Sequence, residues 1–176
     1  DEDGRFLEFS GLIGGRDDER VHDIVVDDLS NIIITGFTQS DDQPLTECCY
    51  SDSLLGYDDA ILVKFDPNLT SLLYSTYIGG TNNEYGTALA TDALGQAFLV
   101  GMTNGRAFPT TAGAFDTTWN GGYRDCIVMN LDITPPTIER DDTDTSAARG
   151  DGFLCNISAR DNDAVGAVDV VYRFGT

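Results

Sequence analysis

The same pattern occurs twice in this chain. Phe9-Ser10-Gly11-Leu12-Ile13-Gly14-Gly15 returns as Tyr74-Ser75-Thr76-Tyr77-Ile78-Gly79-Gly80, so Tyr74 stands 65 residues after Phe9. At the same spacing Gly36-Phe37-Thr38 returns as Gly101-Met102-Thr103, Pro44 as Pro109 and Tyr50 as Phe115. After one extra residue, Gly56-Tyr57-Asp58-Asp59-Ala60-Ile61 matches Gly122-Tyr123-Arg124-Asp125-Cys126-Ile127. A repeat of this length marks a supersecondary unit that buries one face only by stacking on its neighbours. A scaffold is therefore the first expectation and an enzyme the second.

Repeat one spans residues 5–69 and repeat two 70–133; residues 134–176 form a linker and a partial module. In repeat one, Val21 to Val26, Asn31 to Phe37 and Ala60 to Phe65 have the β-branched, alternating character of strands. Asp66-Pro67-Asn68 stops the last of these, since Pro cannot continue a ladder. Leu72 to Ile78 opens repeat two, followed by strands over Thr87 to Thr91, Ala97 to Val100 and Cys126 to Leu131. No segment keeps a helical period over a dozen positions, so little helix is expected. Four short antiparallel strands per unit is the blade of a β-propeller. The fold class is all-β: two four-stranded propeller-type repeats and a partial β-sandwich-like C-terminal piece. Thr134-Pro135-Pro136 reads as a rigid linker, and Gly152 to Phe174 as a hairpin-like piece too short for an independent sandwich.

The 30 acidic and 10 basic residues give a formal charge of −20. Such a chain repels phosphate backbones and anionic membranes, so neither nucleic acid nor a membrane surface is an expected partner. No run of 18 apolar residues occurs, so no span is expected. The chain lacks an initiator Met and ends directly after a strand-like run, so further sequence is expected on both sides.

These motifs resemble the SBBP family, the bacterial and archaeal β-propeller repeat of extracellular proteins. The resemblance rests on Tyr74 to Gly80, Gly101-Met102-Thr103, Phe108-Pro109-Thr110-Thr111, Gly113-Ala114-Phe115-Asp116 and Gly122-Tyr123-Arg124-Asp125. It covers nearly all of Phe9 to Asp132. Repeat one departs from it in Gly11-Leu12 and in Leu45 to Tyr50. The tail, through Ile157 to Val168, resembles the start of an immunoglobulin-like surface-protein module. The resemblance implies secretion and placement at the cell surface or matrix, and it implies no common catalytic residues.

The candidate chemistry is sparse. Cys48, Cys49, Cys126 and Cys155 match no zinc spacing; in an oxidising setting one of the adjacent pair is a candidate disulfide partner for Cys126, the alternative being free buried thiols. Asp161-Asn162-Asp163 offers hard oxygen ligands suited to calcium but lacks the glycine and closing glutamate of a calcium hand. Asn68 and Asn156 head glycosylation sequons. The recurring Asp27 and Asp92, and Asp59 and Asp125, read as turn anchors. His22, the only histidine, reads as a strand or turn residue with no nucleophile elbow to serve. Trp119 lies in a loop where it could stack on a sugar.

Two repeats leave strand edges to cover. The expectation is a structural component of an extracellular or cell-surface assembly, a filament, coat or adhesin, built through β-sheet contacts. Its partner would be protein: copies of itself or other surface proteins. A carbohydrate-binding surface module is the alternative and requires a groove near Trp119. An enzyme would require a cleft where two carboxylates converge.

Overall fold

Strands form where the apolar alternation puts them. In the computed structural model, which describes residues 5–47 and 49–134, they are β1 (Glu19–Val26), β2 (Ile32–Thr38), β3 (Asp59–Phe65), β4 (Leu72–Ile78), β5 (Glu84–Thr91), β6 (Gln96–Thr103) and β7 (Asp125–Asp132). All lie in one compact unit that ends at Thr134. Sheet one runs β1-β2-β3-β4 and sheet two β5-β6-β7, with antiparallel neighbours throughout.

This corrects the expected fold class. The two repeats do not form matching four-stranded sheets: among the described residues one sheet has four strands and the other three, and neither closes into a propeller blade. The reason lies in where β4 pairs. Leu72–Ile78 opens repeat two in sequence, yet it bonds to β3 of repeat one, with Tyr77 opposite Ile61 and Thr76 opposite Leu62. Its counterpart at the start of repeat one, residues 5–15, forms no strand. Repeat two thus gives its first segment to the preceding sheet, and among the described residues nothing plays that part for sheet two. The immunoglobulin-like stretch lies outside the described residues.

Turn chemistry fixes the hairpins. Asp27 Oδ1 accepts the N–H groups of Leu29 and Asn31 at 3.0 and 2.8 Å. Asp92 Oδ1 accepts those of Leu94 and Gln96, both at 2.9 Å. Each carboxylate replaces the backbone partners that the turn leaves unpaired. The tight corner needs a left-handed residue, which is Gly95 at φ 83° in sheet two and Ser30 at φ 65° in sheet one. Glycine adopts that geometry without the Cβ penalty that Ser30 carries.

Burial distinguishes the sheets. Ile33, Ala60, Leu62 and Ile78 face sheet two and pack with Ala97, Leu99, Ile127 and Leu131. The other face of sheet one carries Ile34, Ile61 and Val63, with Ile13 and Leu72 packed against them. A strand buried on both faces reads as a continuous apolar run, and β3 does so from Ala60 to Val63. In β7 burial alternates instead. The outward face of sheet two leaves Phe98, Val100 and Val128 exposed. In the repeat, these are the counterparts of Ile33, Thr35 and Leu62.

Candidate functional site

The buried acidic residues hold the fold's corners. Glu84 is fully buried and accepts the Gly80 N–H at 2.8 Å and the Thr103 hydroxyl at 2.5 Å. Glu19, its counterpart in repeat one, accepts the Gly15 N–H at 3.2 Å and the Thr38 hydroxyl at 2.9 Å. Each glutamate ties a Gly-Gly turn to the threonine that ends the inner strand. Asp59 is also fully buried and accepts the N–H groups of Leu55 and Gly56 at 2.8 and 3.0 Å. Burial pushes its pKa up to about 6; the two N–H bonds oppose that rise, while the charges of Glu84 and Asp58 add to it. Asp58 accepts from Gln39, Asn83 and the Tyr85 hydroxyl. These oxygens serve donors of the fold itself. Sequence reading missed Glu19 and Glu84, although their identical place in the two repeats was a visible signal.

His22 also packs rather than reacts. Its Nδ1 lies 2.7 Å from the Gly86 carbonyl oxygen, and a carbonyl only accepts, so Nδ1 carries the proton. Its ring centroid is 5.7 Å from that of Phe37. The buried ion pair Lys64–Asp27, at 3.0 Å, anchors the end of sheet one. Burial alone would raise the Asp27 pKa, but the Asn31 hydrogen bonds and then Lys64 outweigh it, and the net shift is downward.

One open cleft stands apart from these networks. It encloses about 250 Å³ between β7 and the loop joining β6 to β7, and Thr103, Phe108, Asp116, Trp119, Cys126 and Ile127 are among its walls. The loop is held by its own carboxylates. Asp116 accepts from the Asn120 amide and from the N–H and hydroxyl of Thr118, bonds that hold its pKa down to about 2. Asp125 accepts the Asn120 N–H at 2.7 Å. Trp119 is thereby presented half-buried on a pinned loop.

The same place in sheet one is filled, and β4 fills it. The loop between β2 and β3 grips β4 from the side away from β3. Ser75 donates its hydroxyl to the Pro44 carbonyl at 2.6 Å, and the Ser51 N–H donates to the Thr76 hydroxyl oxygen at 2.8 Å. The fully buried Tyr77 donates its hydroxyl to the Ser40 carbonyl at 2.8 Å and accepts the Gln43 N–H at 3.1 Å. The cleft beside β7 is the corresponding slot, open among the described residues. Phe115 shows the difference: it is fully exposed, whereas its counterpart Tyr50 is half-covered and donates its N–H to the Tyr74 hydroxyl oxygen.

The other candidates fall elsewhere. Asn68 is exposed in the turn after β3, where the sequon hydroxyl of Thr70 donates to Asp66 at 2.7 Å. The expected disulfide is corrected: Cys49 and Cys126 are both free thiols. Cys49 lies in the loop gripping β4 at the edge of sheet one, whereas Cys126 lies near the start of β7 in sheet two. Cys48, Cys155, Asn156 and the calcium candidates Asp161, Asn162 and Asp163 lie outside the described residues. Among the described residues, no group of three or more His, Cys, Asp or Glu side chains is placed to hold a metal, and no helix is long and apolar enough to cross a membrane.

Comparison with known families gives one finding. A family model for the SBBP β-propeller repeat matches residues 73–109. The matched stretch begins within β4, takes in β5 and β6 and ends at Pro109. Over that stretch the chain is similar to a structural repeat, which is consistent with a non-enzymatic protein. No match is found among curated proteins.

Proposed function

We propose that this chain is a structural module of an extracellular or cell-surface assembly, a filament, coat or adhesin, joined through the edges of its β-sheets. One observation carries the reading: among the described residues sheet two has three strands beside an open cleft, where the equivalent place in sheet one holds a fourth strand. An uncovered strand edge is a template for another chain. The SBBP-like stretch supports a scaffold built from stacked units. The test is the mass and shape of the full chain in solution, by light scattering and negative-stain imaging across a concentration series. Rings or fibres are expected. A monomer at the highest soluble concentration would overturn the reading.

A carbohydrate-binding role is the second reading, favoured by Trp119 beside Asp116 and Asn120 in the cleft wall. An aromatic face flanked by polar groups is a common way to hold a sugar ring. Trp119 is the only tryptophan, so its emission reports on the cleft without labelling. If the cleft takes sugar, oligosaccharides shift that emission in a saturable way. If it takes protein, the emission moves to shorter wavelength as the protein itself is concentrated, and sugars leave it unchanged.

A further inference from the structure

We propose that the cleft beside β7 receives the segment Phe6–Ile13 of a second copy of this chain, laid antiparallel as a fourth strand of sheet two. The proposal rests on the assembly reading above and adds the donor, the acceptor and the register.

The internal repeat identifies the donor. Residues 7–13 are the sequence counterpart of β4, Leu72–Ile78, the strand that fills this slot in sheet one. They form no strand themselves. Phe6, Leu7 and Leu12 are 73%, 81% and 106% exposed, an unusual concentration of apolar surface for a segment of this length. The acceptor follows in the same way, since β7 is the counterpart of β3. Transferring the β3–β4 register sets Cys126 opposite Ile13, Ile127 opposite Leu12, Val128 opposite Gly11 and Asn130 opposite Phe9.

The side chains fit that register. In sheet one the slot takes Tyr77, whose hydroxyl meets the backbone of Ser40 and Gln43. Leu12 stands in place of Tyr77, and Gly105 and Phe108 stand in place of Ser40 and Gln43. Both of these line the cleft together with Ile127. The donor lacks the hydroxyl, and the acceptor carries the apolar Phe108 ring where sheet one has the Gln43 side chain, so the apolar Leu12 meets an apolar wall formed by Phe108 and Ile127.

Geometry favours a second copy over the chain's own segment. Ile13 packs on Ile34, Ile61 and Val63, the face of sheet one turned away from sheet two. Sheet one therefore stands between a chain's own segment and its own β7. Ile78 shows how a donor residue bridges two units: it belongs to sheet one and packs into the core shared with sheet two. Ile13 would do the same between the outward face of one copy's sheet two, at Phe98 and Val128, and the far face of the next copy's sheet one. Such a contact is heterologous, so it propagates into a ring or a filament rather than ending at a dimer.

Cysteine trapping tests the register. Cys126 is free and exposed, and opposite residues in an antiparallel pair lie within the span of a disulfide. In a full-length chain carrying Cys48→Ser, Cys49→Ser and Cys155→Ser, Ile13→Cys should give a ladder of disulfide-linked dimers and larger species under mild oxidation. Leu12→Cys in the same background points to the opposite face and should give none. Separately, a peptide of residues 5–15 should compete for the cleft and reduce the assembled mass of the unmodified protein, a readout that does not depend on the folding of any variant. Assembly without the Ile13→Cys ladder, or unaffected by the peptide, overturns this inference and leaves the assembly reading standing. A cross-link confined to the monomer assigns the slot to the chain's own segment and also overturns it. A protein that never assembles overturns both.

Discussion

Asp59 is fully buried at the start of β3, near Glu84 and Asp58, and its pKa lies at about 6 against the ordinary 3.8. Between those two values the folded state holds a proton that the unfolded chain has released. The stability contributed by this group is therefore fully present below the unfolded value and is lost as pH rises through about 6. Asp59→Asn removes the titration and leaves one oxygen to accept from Leu55 and Gly56, forfeiting about 1 kcal/mol of hydrogen bonding. Its cost relative to the unmodified protein should be largest near pH 4 and shrink toward pH 7. Urea midpoints of the two proteins across that range measure the difference. Asp27, Asp66 and Asp116, whose pKa values are lowered, act in the opposite direction but equally in both proteins. A difference that does not change with pH would place the Asp59 proton elsewhere.

At the scale of elements, a shared irregularity explains a shared motif. β1 is bulged between Val21 and Asp23, and β5 at the same repeat position between Gly86 and Ala88. Opposite each bulge stands the glycine of Gly36-Phe37-Thr38 or Gly101-Met102-Thr103. A Cβ at Gly36 would collide with the Arg20 carbonyl, and one at Gly101 with the Tyr85 carbonyl. Backbone cannot yield as a side chain does, so Gly36→Ala and Gly101→Ala should each cost about 2 kcal/mol or more. The urea midpoint should fall with the slope unchanged. Gly11→Ala, which meets nothing within 4 Å, is the control and should leave the midpoint of the unassembled protein in place. A neutral Gly36→Ala would mean that the strands at the bulge are not so close. The strands were legible in sequence because a half-buried or buried strand writes its burial into side-chain alternation; Leu72–Ile78 is read with the bounds it has in the fold. Their grouping was not. A repeat has the same period wherever counting begins, so the boundary at residue 70 carried no information about which sheet β4 joins. Trp119 was visible as a loop-borne aromatic. The cleft around it was not, because its shape depends on β7 being the last strand of its sheet among the described residues, which no single residue records.

For the whole molecule, charge decides how any assembly responds to its surroundings. Each copy carries a formal −20, so two copies repel at long range whatever they do on contact. The contact argued above has a different character. Its donor is mostly apolar from Phe6 to Ile13 with Glu8 as the one charge, and its acceptor strand is uncharged from Cys126 to Leu131. Backbone hydrogen bonds and apolar burial are little changed by moderate salt, whereas long-range repulsion is screened, with a Debye length of about 8 Å at physiological ionic strength. Added sodium chloride should therefore promote assembly and lower the protein concentration at which the scattered mass rises. An interface held by ion pairs would show the reverse, weakening as salt screens the attraction. Light scattering along a salt series at fixed pH separates the two. Assembly that falls steadily with salt would count against an edge-strand contact even in a protein that polymerises, because it would place the attraction on the charged surface instead of the cleft beside β7.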